Sequence, residues 1–247
     1  MKHLLAAAML VAVPVLAKPA APIPASALLI RQATPDHQWR WRIAPEVATQ
    51  PALLRAMRGA ALAEAAKAGR AAARNAASAR TSGYPFRRHE TISDWSLAAD
   101  TPQFLALAGE VYSFTGGAHG NTGHAVQIWD KAARRSLAID ALFSDWPRVR
   151  KLIEPGYCAA LAEMQRARRG TQPGSGGFDA CPSLSEQPVV PYGGLSATAM
   201  QLRVLIGPYV AGSYAEGSYI ITLPWPEAVR PFVKPRYRPA LFGDTPG

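Results

Sequence analysis

The sequence is poor in the residues that usually carry enzyme chemistry. Its 247 residues include only two cysteines, five histidines and 17 acidic residues. The short motifs HExxH, GxSxG and CxxC are absent, and no glycine-rich phosphate loop opens a predicted helix. No pair of carboxylates stands out for glycoside hydrolysis either. We therefore predict no catalytic residue and no cofactor.

Long apolar runs are also scarce. The only one covers residues 4–16, follows the basic Lys2, and is too short to span a bilayer. Small residues precede a possible cleavage point after Ala17, as in secretory signal peptides. We interpret residues 1–17 as a signal peptide and the Pro/Ala-rich residues 18–27 as a tether. The prediction is a periplasmic or secreted protein with no transmembrane segment in the mature chain.

Negative charge is in short supply relative to positive charge. The chain has 27 Lys and Arg residues against 17 acidic ones, and removal of Lys2 with the signal peptide leaves a net charge of +9. A basic exported protein suits anionic envelope polymers or acidic partners, although the charge could serve solubility alone. Nucleic acid is not an expected partner outside the cytoplasm.

The two cysteines, Cys158 and Cys181, are predicted to form one disulfide. An even number of cysteines behind a signal peptide is typical of an oxidising compartment. Two cysteines cannot make a zinc site alone, and no histidine lies near them in the sequence.

Hydrophobic periodicity predicts an α+β fold, in which antiparallel sheets pack with two main helices. The first predicted helix runs from about Thr49 to Arg80, and the second covers residues 146–169, where Pro155-Gly156 could break it in two. Strands are predicted at residues 28–43, 84–99, 103–115, 124–130, 187–192, 200–206 and 218–223.

A glycine-rich stretch, TGGAHGNTGH, lies between two of these strands at residues 115–124. The structural interpretation is a tight bend, in which Gly116 and Gly117 allow positive φ and Asn121 tolerates the left-handed region. Under this interpretation Gly117→Val lowers stability if Gly117 has positive φ. A glycine-rich bend also lets a ligand approach the backbone closely.

The chemical interpretation of the same stretch is a metal site. His119 and His124 could meet across a hairpin, but zinc needs a third protein ligand. The candidates are Asp94, Asp130 and His89, and the spacing selects none of them.

Two motifs carry a resemblance to a known family. The first is YSFTGGAHGN at residues 112–121, followed by LAIDALF at residues 137–143. The second is GPYVAGSYAEG at residues 207–217, followed by the strand-like SYIITLP. Together they resemble the extracytoplasmic domain of RsiV-like, lysozyme-sensing anti-sigma factors. The same module accompanies PdaC-type peptidoglycan deacetylases as a non-catalytic region.

The resemblance implies a PdaC-like region at residues 28–130, an RsiV-like region at residues 131–233 and a tail at residues 234–247. The sequence shows neither the membrane helix of the anti-sigma factor nor the deacetylase catalytic domain. In addition, HGNTGH is one residue too long for the deacetylase motif H-[ST]-x-x-H. We therefore expect the module without an output domain.

The function predicted from the sequence is non-catalytic binding of a cell-envelope ligand, either peptidoglycan or an envelope protein. The alternatives are an envelope hydrolase or deacetylase with a metal at His119 and His124, and a protein that binds or inhibits lysozyme. Tyrosines of the second motif could stack on sugar rings or pack their loop onto the core. The predicted ligand-binding residues are Gly116, Gly117, His119, Asn121, His124, Tyr209 and Tyr214.

Overall fold

The computed structural model describes residues 25–174, 176–193 and 200–243, so the predicted signal peptide lies outside the described residues. The strands are β1 (Leu29–Ala33), β2 (His37–Ile43), β3 (His89–Asp100), β4 (Phe104–Phe114), β5 (Asn121–Asp130), β6 (Arg135–Leu137), β7 (Val189–Tyr192), β8 (Gln201–Ile206) and β9 (Tyr219–Pro224), and the helices are α1 (Pro51–Ser82), α2 (Trp146–Arg169) and α3 (Arg238–Phe242). This architecture confirms the α+β class and the two main helices.

Strands β1 to β6 form one sheet in chain order, and β7 to β9 form a second. All neighbouring strands are antiparallel except β2 and β3, which are parallel. The long helix α1 connects these two strands, because parallel neighbours need a crossover connection rather than a tight turn. Pro51 stands at the start of α1, and Gly83 ends it in the left-handed conformation with φ 69°.

The centre of the six-stranded sheet is buried on both faces. Successive residues of β4 point to opposite sides, so Leu105 and Leu107 join the core beneath α1 while Phe104 and Ala106 join the core shared with the second sheet and α2. All four side chains are fully buried. Residues 104–108 of this strand therefore form a continuous apolar run, which joins the two cores at the centre of the molecule.

Helix α2 is continuous, so the predicted break at Pro155-Gly156 is wrong. Val149, Ile153, Tyr157 and Leu161 repeat every four residues and are buried along one side of the helix. Pro155 is solvent-exposed on the other side. Packing of the buried stripe therefore holds the helix across the proline, and water can hydrate the carbonyl that loses its N–H partner.

Cys158 on α2 and Cys181 in the following connection are bonded, with their Cα atoms 5.5 Å apart, as the sequence predicts. In the described part of residues 234–247, Tyr237 and Leu241 are buried in the core that the second sheet and α2 share with the first sheet. No helix among the described residues is long and apolar enough to cross a membrane.

Candidate functional site

The glycine-rich stretch forms the turn at the end of a long hairpin. Strands β4 and β5 pair from Phe104 opposite Asp130 to Ser113 opposite Asn121. Two glycines of the turn are required by geometry. Gly116 has φ 97°, and a Cβ atom at Gly120 would lie 2.3 Å from the ring of Tyr112. The bend therefore depends on one glycine for its backbone conformation and on another for close packing.

Two expectations about this bend need correction. Gly117 does not have positive φ, and the nearest atom to a Cβ placed there would be the His119 carbonyl oxygen at 3.9 Å. Asn121 does not adopt the left-handed region but begins β5. The carbonyl of Gly117 instead accepts a hydrogen bond of 3.0 Å from Arg87, which ties the turn to the segment before β3.

His119, at the tip of this turn, stacks on tyrosines from the loop between β8 and β9. Its ring lies 3.8 Å from that of Tyr214 and 6.2 Å from that of Tyr209, centre to centre. The Nδ1 atom of His119 is 2.8 Å from the Gly120 carbonyl, which can only accept, so Nδ1 carries the proton. In the neutral imidazole, Nε2 then accepts the hydrogen bond of 3.1 Å from the Tyr209 hydroxyl.

Phe178 extends this group from the connection between α2 and β7, with its ring centre 6.4 Å from that of Tyr209. We refer to His119, Phe178, Tyr209 and Tyr214 as the aromatic cluster. Three of its members are large hydrophobic side chains with substantial exposure: Phe178 at 45%, Tyr209 at 46% and Tyr214 at 36%. The tyrosines thus pack on one another and on His119 rather than into the core.

The backbone at Tyr209 is unusual. Its φ is 67°, in a region that residues other than glycine, asparagine and aspartate rarely adopt. It follows Pro208 in a turn closed by a 3.4 Å bond from the Val210 N–H to the Gly207 carbonyl. A glycine would fit this position without strain, so the tyrosine costs stability and places an aromatic ring on the surface.

The C-terminal half of α2 holds two of the three cluster loops in place, namely the α2–β7 connection and the β8–β9 loop. Gln165 is 1% exposed, and its Nε2 donates to the carbonyls of Phe178 and Ala211, each at 2.9 Å. Arg169 also donates to the Ala211 carbonyl at 2.9 Å and pairs with Asp179. One buried helix face therefore positions Phe178 and the tyrosine-bearing loop together.

Glu216 fixes the other end of the tyrosine loop. Its carboxylate accepts hydrogen bonds from the Tyr219 hydroxyl, from the Ser213 N–H at 2.8 Å and from Arg169 Nε at 2.6 Å. Burial by itself raises the pKa of this carboxyl, but these hydrogen bonds outweigh it and hold the pKa at about 2. Glu216 therefore remains ionised at any physiological pH, and we assign it a structural role.

His124 contacts different residues from those of the aromatic cluster. It sits on β5 opposite Glu110, and its Nε2 is 2.9 Å from the hydroxyl oxygen of Ser218. Burial lowers the pKa of His124, and this effect outweighs the nearby Glu110, which raises it. His124 thus docks the hairpin against the start of β9, while His119 contacts the aromatic side chains.

The residues considered as a third metal ligand have other partners. Asp94 pairs with Arg40 and Arg42, and Asp130 accepts hydrogen bonds from two backbone N–H groups and from Arg236. Across residues 25–174, 176–193 and 200–243, no group of three or more His, Cys, Asp or Glu side chains is placed to hold a metal ion. The metal-site interpretation gains no support from these contacts.

Of the predicted ligand-binding residues, His119, Tyr209 and Tyr214 come together in three dimensions. Phe178, Gln165 and Arg169 were missed. An exposed phenylalanine in a glycine-rich connection was the only available signal for Phe178, and nothing in the sequence connects Gln165 with the loops that it binds.

Comparisons with known proteins give two similar solved structures and one family model. No curated protein is significantly similar in sequence. A crystal structure of a DUF3298 family protein from Pseudomonas aeruginosa PAO1 covers 84% of this chain and 93% of its own, at 14% identity and a TM-score of 0.48. A DUF3298 family member from Bacteroides fragilis covers 80% and 83%, at 13% identity and a TM-score of 0.44.

The family model described as Deacetylase PdaC matches residues 44–122. The matched segment begins just before α1 and ends just after the bend that carries His119. Residues 44–122 thus match the PdaC family model, which confirms the PdaC-like resemblance over about a third of the chain.

Proposed function

We propose that this protein is a periplasmic or secreted, non-catalytic module that binds a cell-envelope glycan, peptidoglycan above all, through the aromatic cluster. The observation that carries the proposal is the convergence of His119, Phe178, Tyr209 and Tyr214 from three separate connections onto one exposed surface. The PdaC family match supports the envelope setting, and the predicted signal peptide supports export.

The cluster has the chemistry that sugar recognition needs. The faces of sugar rings carry C–H groups that pack against aromatic rings, while tyrosine hydroxyls can bond sugar hydroxyls at the edge. The strained backbone at Tyr209 is consistent with a functional residue, because a position that favours glycine has been given a large exposed ring. Anchoring by Gln165 and Arg169 keeps the surface preorganised, which lowers the entropic cost of binding.

The charge of the chain favours an anionic polymer over a basic protein partner. The mature chain is predicted to carry a net charge of +9, and animal lysozymes of the familiar type are also basic. Like-signed proteins meet slowly and make poor contacts at the rim of an interface. An anionic envelope polymer would instead gain salt-sensitive attraction from the exposed arginines.

The test is a sedimentation assay of the purified mature protein with isolated sacculi, beside a titration with lysozyme. We expect sacculus binding that weakens about ten-fold on Tyr214→Ala, since loss of the packing of one aromatic ring costs about 0.5–1.5 kcal/mol and about 1.4 kcal/mol is a factor of ten. Tyr209→Gly should weaken it similarly while thermal stability stays equal or rises, because glycine removes the strain at φ 67°.

Tyr84→Ala is the matched control, because Tyr84 is 52% exposed and lies outside the cluster. It should leave sacculus binding unchanged. Tight, salt-insensitive lysozyme binding with no sacculus binding would replace the glycan proposal with the lysozyme alternative. Stoichiometric zinc that disappears on His119→Ala would favour the hydrolase or deacetylase alternative.

A further inference from the structure

A cleft distinct from the aromatic cluster lies between α1 and one face of the six-stranded sheet. It is a cleft of about 410 Å³, within the range of roughly 300–1,000 Å³ typical of small-molecule sites. Its walls include Trp39, Trp41 and Trp95 from the sheet and Met57, Ala61 and Ala68 from α1. None of the aromatic cluster residues lines it.

The cleft follows from a mismatch of side-chain sizes between helix and sheet. The sheet presents large indole rings on β2 and β3, whereas α1 faces them with alanines over several turns. Alanine holds the helix close enough to bury Trp39 and Trp41 but is too small to fill the space between the rings. Exposed Ala60 and Glu64 stand where the cleft reaches the surface.

The polar groups of the cleft restrict what it could hold. Trp39 is 6% exposed, and its indole N–H has no hydrogen-bond partner among the described residues. The indole N–H of Trp95, by contrast, donates to the Ser93 hydroxyl at 3.1 Å. The only charged residue in the lining is Glu64, so the lining supplies no cation for an anionic ligand.

We propose that this cleft binds an uncharged, mainly apolar small molecule that carries one hydrogen-bond acceptor, and that the indole N–H of Trp39 donates to that acceptor. The indole walls supply apolar contact area, and the buried donor supplies direction and specificity. This site is independent of the glycan surface proposed above, because the two share no residue.

The probe for the test is prodan, a neutral naphthalene ketone whose emission shifts to the blue in apolar surroundings. We expect saturable binding to the mature protein with a blue shift. Ala68→Phe fills the cleft and should weaken binding about ten-fold or more, because close-packed interiors do not accommodate the added ring and the ligand together. Ala66→Phe places the same ring on the exposed side of α1 and should leave binding unchanged.

Competition with simple naphthalenes tests the hydrogen bond. Acetylnaphthalene should displace prodan about five-fold better than ethylnaphthalene, which lacks the acceptor, and Trp39→Phe should abolish that preference. Naphthoate should compete poorly, because its carboxylate would enter an apolar lining that contains no cation.

Far-UV circular dichroism and thermal melting establish that each variant is folded. If Ala68→Phe does not fold, Ala60→Phe obstructs the exposed edge of the cleft and should weaken prodan binding as well. The proposal is overturned if prodan does not bind, if the lining and control variants bind it equally, or if acetylnaphthalene and ethylnaphthalene compete equally.

Discussion

At the scale of single residues, substitution of Gly116 or Gly120 in the hairpin turn should cost much more stability than substitution of Gly117. Gly120→Ala should lower the free energy of unfolding by about 1–3 kcal/mol, because the Tyr112 ring must move to admit the new methyl group. Gly116→Ala should cost about 1 kcal/mol through its positive φ. Urea denaturation followed by circular dichroism measures both changes.

Gly117→Ala is the matched control and should be nearly neutral, since a Cβ there meets no atom closer than 3.9 Å and the backbone is not left-handed. A cost at Gly117 as large as that at Gly120 would contradict this account of the turn.

At the scale of elements, the contact between α2 and two loops of the aromatic cluster should couple stability to binding. Gln165→Leu keeps the size of the buried side chain but removes both hydrogen bonds to the carbonyls of Phe178 and Ala211. We expect a loss of about 1–2 kcal/mol in unfolding free energy, because both hydrogen bonds from the buried amide are lost while Arg169 still donates to the Ala211 carbonyl. Sacculus binding should weaken as well, since the loops that carry Phe178 and Tyr209 lose a shared anchor.

The exposed Gln201→Leu on β8 is the control for this substitution and should change stability by no more than about 0.5 kcal/mol. If Gln165→Leu destabilised the protein while leaving binding intact, the cluster would not depend on its anchoring by α2.

At the scale of the whole molecule, three histidines make stability dependent on pH. Burial lowers the pKa of His37, His89 and His124 below the ordinary value of 6.5. The unfolded chain therefore binds more protons than the folded chain once the pH falls below about 7. The stability contributed by the neutral histidines is present above the unfolded pKa and is lost as the pH falls through the folded values.

We expect the free energy of unfolding to decline between about pH 7.5 and pH 5, as measured by urea denaturation across that range. Glu216 does not contribute in this window, because its pKa is held at about 2. His124→Gln can retain a hydrogen bond to Ser218 but cannot titrate, so it should reduce the slope. A slope unchanged by this substitution would show that His124 is not one of the responsible groups.

Local sequence determined several elements of this protein because short-range physics sets them. Pro51 and Gly83 delimit α1 through fixed φ and left-handed φ, and alternation around Trp39 and Trp41 specifies a half-buried strand. The hairpin of β4 and β5 follows from apolar strands around a glycine-rich turn. The bonded cysteines could be named because the sequence contains only two.

Tertiary structure alone decided which of these parts act together. His119 and Tyr209 are 90 positions apart, and their hydrogen bond depends on how the second sheet packs against the first. The same packing placed Phe178 beside the tyrosines and overrode the helix break expected at Pro155. Side-chain contacts between distant segments depend on the summed packing of both cores, whereas caps and turns depend on a few neighbouring residues.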